Sequence, residues 1–186
     1  MSHENIINDA QAKMQKSIEA LKNNMAKIRT GRANTSLLDH VMVASYGSET
    51  PLNQVASISV LDARTLSVTP WDKSLVSAVE KAIYTSDLGL NPLPYENAIR
   101  VPIPQLTEDR RRDLVKIIKE EAEQSRISIR QIRRDSNQSV KQALKEKTIN
   151  EDENKRLEQK IQQITDTFIG EIDQLFKQKE QDVMSL

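Results

Sequence analysis

Cysteine is absent from the chain. A disulfide framework and all thiolate chemistry, catalytic or metal-binding, are therefore excluded, and the usage fits a reducing cytosol. Long apolar runs are missing too. No window approaches the roughly eighteen consecutive apolar residues a spanning helix needs, and the start MSHENIINDA has no basic stretch followed by an apolar run. Neither a membrane partner nor export is indicated, and a cytoplasmic protein is expected. An excess of one charge is also lacking, because 27 basic and 27 acidic side chains cancel. That argues against a protein that simply coats nucleic acid, but a zero sum hides how charge is distributed. There is no Walker or dinucleotide glycine pattern and no nucleophile elbow. His3 and His40 stand far apart, without the spacing of a metal or catalytic set. No catalytic residue, metal or cofactor is expected, and an enzyme is the least supported class.

Proline and glycine are scarce in a particular way. All six prolines, at 51, 70, 92, 94, 102 and 104, and three of the four glycines, at 31, 47 and 89, fall between residues 31 and 104. These residues break helices and make turns, so the asymmetry predicts long helices at both chain ends and a compact, turn-rich insert between them. The domains are expected at 1–30 with 105–186, and at 31–104. The chain passes twice between them, so a hinge is expected near 30–32 and 104–106, at Thr30, Gly31, Pro104 and Gln105.

In the first flank Ile7, Met14, Ile18, Leu21, Met25 and Ile28 repeat at heptad-like spacing, the seam of a helical bundle. After Pro104, Thr107 can cap a second helix over about residues 108 to 147, with Glu108 and Asp109 suited to its positive end. Its apolar and small positions run Leu114, Ile118, Ala122, Ser125, Ile129, Ile132, Ser136, Val140 and Ala143. Asn150 can cap a third, with Glu153 three residues on in a capping-box arrangement, continuing through Leu157, Ile161, Ile164, Phe168, Ile172 and Leu175. Three such rods bury their faces by packing together.

The insert reads as a small α+β domain. LLDHVMVASYG, VASISV, RTLSVT and AIRVPI are β-branched and partly alternating, and YGSETP is a turn signal between the early ones. Asp72 can cap a short helix through Leu75, Val76, Val79, Ala82 and Ile83, closed by Gly89 and Pro92. DLGLNP reads as that helix's stop and loop. In INEDENKRL the three acids are what the dipole of a helix start favours, rather than a metal site.

The sharpest chemical signal lies in the second helix, EQSRISIRQIRRDSNQSVKQALKEK. At about 100° per residue from Arg126, Arg130, Arg133, Arg134, Lys141 and Lys145 fall at about 40°, 340°, 80°, 60° and 100°, with the apolar seam centred near 280°. Residues 124 to 147 carry seven Lys or Arg against two acids, and 148 to 186 five against nine. Four arginines within nine residues favour planar, bidentate phosphate recognition over simple solubility. A phosphate-tracking arm is one reading. A solvated face, partly paired with the acidic third helix, is the other. In KIRTGRAN, Gly31 can end the first helix at C′ while Lys27 and Arg29 complement its negative end. Arg32 lies beyond that explanation and leaves room for a polyanion contact.

Taken together, KIRTGRAN, SLLD, VEKAI with DLGLNP, IRVPIPQLTEDRRRDLVK and the RxxRRD stretch resemble the bacterial ribosome recycling factor family, over essentially the whole chain. The resemblance implies an L-shaped α+β protein of transfer-RNA-like dimensions, with an elongated three-helix bundle and an inserted small β/α/β domain. It implies a non-enzymatic monomer that binds the post-termination ribosome and, with elongation factor G and GTP, splits the subunits to release messenger RNA and deacylated transfer RNA. By the same resemblance, large-subunit ribosomal RNA would be met by Arg130 and Arg133 first, then Arg111, Arg29 and Arg32, with Arg126 and Arg134 on the same face. The segments before Asn8 and LPYENA match least. The competing class is a basic helical adaptor that binds an acidic protein, which ribosomal RNA would not displace.

Overall fold

The computed structural model describes residues 3–28 and 30–185. Three long helices and six short strands form two compact units, one of residues 1–30 with 108–185 and one of residues 31–107. The fold is α+β, a three-helix bundle carrying an inserted small β/α/β unit.

In the bundle, α1 (Glu4–Ala26), α3 (Glu108–Lys145) and α4 (Glu151–Met184) pack pairwise. The heptad seam explains why. Ile7, Ala10, Met14, Ile18, Leu21 and Met25 are all buried on α1, and Leu114, Ile118, Ala122, Ser125, Ile129, Ser136 and Val140 on α3. Leu157, Ile161, Phe168 and Ile172 supply α4 as the spacing predicts, whereas Ile164, Leu175 and, on α3, Ile132 and Ala143 are only half-buried. Thr165 fills the buried place next to Ile164 and returns its hydroxyl to the Ile161 carbonyl at 2.8 Å, which satisfies a polar group that burial would otherwise penalise.

Two helix ends of the bundle differ from expectation. α3 stops at Lys145 rather than near 147. Lys147 enters the left-handed region at φ 59°, its N–H reaches the Leu144 carbonyl, and the Thr148 N–H reaches Ala143 at 3.0 Å. That is a Schellman motif made without glycine. It delivers buried Ile149 to a cluster with Ile7, Val140, Leu157 and Ile161, closing one end of the bundle. His3 has a local structural contact here, its Nε2 donating to the Thr148 carbonyl at 3.1 Å. Asn150 caps α4 as predicted, its side chain accepting from the Glu153 N–H at 2.8 Å. α1 ends at Ala26, so Gly31 is not its C′ residue and Lys27 lies past its last turn. Gly31 nevertheless adopts φ 78°, a conformation costing about 1–2 kcal/mol for other L-residues, and so serves the linker rather than the helix.

In the inserted unit, β1 (Met42–Ser45) and β2 (Ser48–Pro51) form a hairpin. The turn is Tyr46 and Gly47 alone, both at positive φ, so SETP is a strand and not part of the turn. Leu37 and Leu38, the start of the expected first strand, instead fall in a 3₁₀ turn, Thr35–Leu38, capped by Asn34. A second sheet orders β3 (Ala56–Asp62), β4 (Thr65–Pro70), β6 (Ala98–Pro102) and β5 (Leu93–Tyr95) as β3-β4-β6-β5, every pair antiparallel. The short strand β5 escapes the sequence reading because it contains Pro94. An edge position tolerates the missing N–H.

Asp72 caps a 3₁₀ turn that leads into α2 (Val76–Thr85). That helix is ended by Ser86, whose hydroxyl and N–H both reach Ile83, rather than by Gly89. Gly89, at φ 66°, lies in the following loop as DLGLNP suggests. Leu38, Val43, Leu52, Leu66, Ile83 and Ile99 are among the fully buried side chains of one aliphatic core.

Candidate nucleic-acid interface

α3 is a rod of 38 residues, about 57 Å at about 1.5 Å per residue. Its cations divide by their angular distance from the packed seam. Arg126 and Arg133, nearest the seam, are half-buried, while Arg134, Lys141 and Lys145, further round, are exposed. Half-burial of Arg133 follows from its place about 60° from the centre of the seam. Its methylene stem can lie along apolar surface while the guanidinium reaches water. Among the described residues Arg133 has no hydrogen bond or ion pair, so its five donors stay available for a ligand. Arg130, with a side chain 43% exposed, makes only a long contact of 3.5 Å to Glu123. Arg134 shares a 2.9 Å hydrogen bond with Gln131 on its own helix.

Arg126 is engaged differently. Only 19% of its side chain is exposed; Nη2 lies 2.7 Å and Nε 3.1 Å from Asp173 on α4, and Nη1 lies 3.3 Å from Glu123. Burial alone would lower the guanidinium's pKa, but the hydrogen bonds it donates to Asp173 and Glu123 outweigh it and hold the value above the ordinary one. This fork ties α3 to α4, as the solvated-face reading foresaw for some cations, and Arg126 has little left for an external phosphate. Arg111 is similar: Nη1 donates to the Met184 carbonyl at 3.3 Å, a favourable placement at the negative end of α4, and its Nε is buried without a partner. Arg32 is exposed and has an interaction of its own within the chain. Arg29 lies outside the described residues.

The hinge candidates also separate. Thr30 is buried. Gln105 faces the guanidinium of Arg64 with 2.7 Å to both Nη atoms, the orientation in which its amide oxygen accepts, and the preceding Ile103 N–H donates to the Arg64 carbonyl at 2.7 Å. No motif in the sequence marks Arg64. Its position in a strand-like RTLSVT gives no hint that a linker lies against it. Among the described residues no group of three or more His, Asp or Glu could hold a metal, and no helix is long and apolar enough to cross a membrane.

Fold and surface define an α+β protein of bundle-plus-insert architecture, with a one-sided cationic helix as its main charged feature. The family model described as "Ribosome recycling factor" matches residues 21–184. The ribosome-recycling factor of Thioalkalivibrio sulfidiphilus (strain HL-EbGR7) is 57% identical over 183 residues, covering 98% of this chain and 99% of that protein. That of Legionella pneumophila (strain Paris) is 56% identical over 178 residues, covering 96% of each. The solution structure of a ribosome recycling factor superposes with a TM-score of 0.74 at 38% identity, covering 100% of this chain and 99% of the other. A second structure describes models for the T. thermophilus ribosome recycling factor and E. coli elongation factor G bound to the E. coli post-termination complex; it gives a TM-score of 0.65 at 47% identity, covering 99% of this chain and 100% of the other. The chain belongs to the ribosome recycling factor family.

Proposed function

We propose that this chain recycles ribosomes after termination. As a cytoplasmic monomer it binds the post-termination ribosome in the intersubunit region and, with elongation factor G and GTP, splits the subunits so that messenger RNA and deacylated transfer RNA leave. It performs no covalent chemistry of its own. The observation that carries the molecular reading is the cationic face of α3, where Arg130, Arg133 and Arg134 stand within five residues and Lys141 and Lys145 continue the row on exposed surface.

Guanidinium groups suit phosphate because their planar fork makes two parallel hydrogen bonds, and a straight rod can follow a helical RNA backbone by shape without reading its bases. Arg130 and Arg133 are assigned the main contacts to large-subunit ribosomal RNA, with Arg134 beside them and Arg29 and Arg32 as further contacts near the linker. Arg126 and Arg111 support this face by fixing α3 against α4. Family membership favours this over an adaptor for an acidic protein.

Sedimentation with vacant ribosomes tests the assignment. Arg133→Ala should weaken binding by about 1–3 kcal/mol, the range for a lost charge-assisted contact. Its melting temperature should fall only slightly, since stem packing is lost but no hydrogen bond or ion pair within the described residues. Near-normal affinity would remove the RNA role from this face.

A further inference from the structure

The chain passes between the two units at residues 30–31 and again at 107–108. Within the inserted unit, both segments leading to those crossings are fastened to the same two residues. The Ala33 N–H donates to the Ala63 carbonyl at 2.8 Å, and the Ile103 N–H donates to the Arg64 carbonyl at 2.7 Å. Ala63 and Arg64 are the two residues that join β3 to β4, between the paired Asp62 and Thr65. The turn is braced from within, because the Asp62 carboxylate accepts the Arg64 N–H at 2.9 Å. One side chain adds a third fastening: the Arg64 guanidinium meets the Gln105 amide oxygen with 2.7 Å from each Nη.

From this convergence we propose that the β3–β4 turn is a clamp for both linkers and that Arg64 is a positioning residue for recycling. The clamp confines motion between the units to residues 30–32 and 106–107. Pro104 and Gln105 then belong to the inserted unit and not to the pivot.

The mechanical reason is slack. Each residue released from the turn adds up to about 3.3–3.6 Å of reach, so freeing residues 103–105 would lengthen one linker by about 10 Å. A unit held by one slack strand turns about many axes. Two strands held on one turn leave little besides rotation about the line joining them, so a push on the inserted unit is delivered in one direction. The role in recycling rests on the proposed function above, whereas the clamp itself does not.

Amide hydrogen exchange on the unmodified protein tests the clamp without ribosomes. Ala33 and Ile103 should exchange at least about tenfold more slowly than Gly31 and Leu106. Equal rates at all four would overturn it. Spin labels at Lys81→Cys and Gln138→Cys, placed on exposed positions of the two units in a chain with no native cysteine, report the range of motion. Arg64→Ala should broaden the distance distribution, leave ribosome binding within about twofold and slow splitting by about fivefold or more, with Arg64→Lys intermediate because it restores charge but not the fork. Gln105→Ala removes the same contact from an exposed position and serves if Arg64→Ala disturbs the sheet. Unchanged distance distributions and splitting rates in both alanine variants would overturn the role of Arg64. Failure of the unmodified protein to bind ribosomes would instead refute the proposed function, leaving exchange and distances to decide the clamp.

Discussion

The bundle contains both phenylalanines, one glycine and no proline, while the inserted unit holds all six prolines, all three tyrosines and the tryptophan. The aromatics of the insert are not its core. Tyr46, Trp71, Tyr84 and Tyr95 are 82%, 67%, 67% and 51% exposed, and aliphatic side chains fill the interior. The bundle core is a set of stripes along rods, with small residues such as Ala10, Ala122, Ser125 and Ser136 letting backbones approach. The insert core is a single cluster drawn from two sheets, a helix and their loops. Repeated spacing builds the first. Turns that bring distant strands together build the second.

The largest effect that would break this comparison comes from a charge placed in either core. Ile99→Asp and Ile129→Asp each bury a carboxylate at a position with no solvent exposure, at a cost of at least about 4 kcal/mol. Ile99→Asp should strip hydrogen-exchange protection from β4 and β6 while α3 and α4 remain protected. An unfolded insert is only a long loop between α1 and α3, and closure entropy grows by about 0.6 kcal/mol per doubling of length. Ile129→Asp should melt the bundle. Loss of protection everywhere in both variants would mean the units fold as one.

A smaller effect sharpens what holds the rods in place. Arg126→Ala and Asp173→Ala should each destabilise the bundle by about 1–2 kcal/mol, with a coupling of about 0.5–1 kcal/mol in the double-mutant cycle, because Asp173 is largely exposed and solvent screens the pair. Thermal melts of the four proteins measure this. Zero coupling would return Arg126 to the surface cations available for RNA.

The smallest effect is confined to the insert. The Arg64 N–H and Thr65 hydroxyl hold the Asp62 carboxyl below the usual range, and the Tyr46 phenol with Ser74 does the same for Asp72. A carboxyl lowered by folding contributes stability above its unfolded pKa and loses it as pH falls through the lowered folded value. The insert's melting temperature should therefore begin to fall as the solution is taken below about pH 4, and Asp62→Asn should flatten part of that slope. An identical profile for Asp62→Asn would show that the carboxylate does not brace the turn.

Much of the bundle was legible because its signal is local. A residue and its neighbour one turn away decide whether a stripe forms, so the seams of α1, α3 and α4 and the Asn150 cap were readable from spacing. Strand β5 was not, because Pro94 contradicts a strand until the sheet order makes it an edge. The Tyr46–Gly47 turn is narrower than YGSETP suggests, since SETP resembles loop chemistry and becomes a strand only by pairing with β1. The candidate site was legible as a face and illegible as a set of available groups.

By itself the sequence determined three amphipathic rods, an inserted turn-rich unit and a row of cations on one side of α3, because periodicity and breakers act over a few residues. Tertiary structure alone decided which cations remain available. Arg126 meets Asp173 across a sequence separation of 47, and Arg111 meets the Met184 carbonyl across 73. It also decided that Arg64, unremarkable in its strand, would stand against Gln105. A side chain's partners across a fold depend on where another element lands, and no local pattern carries that information.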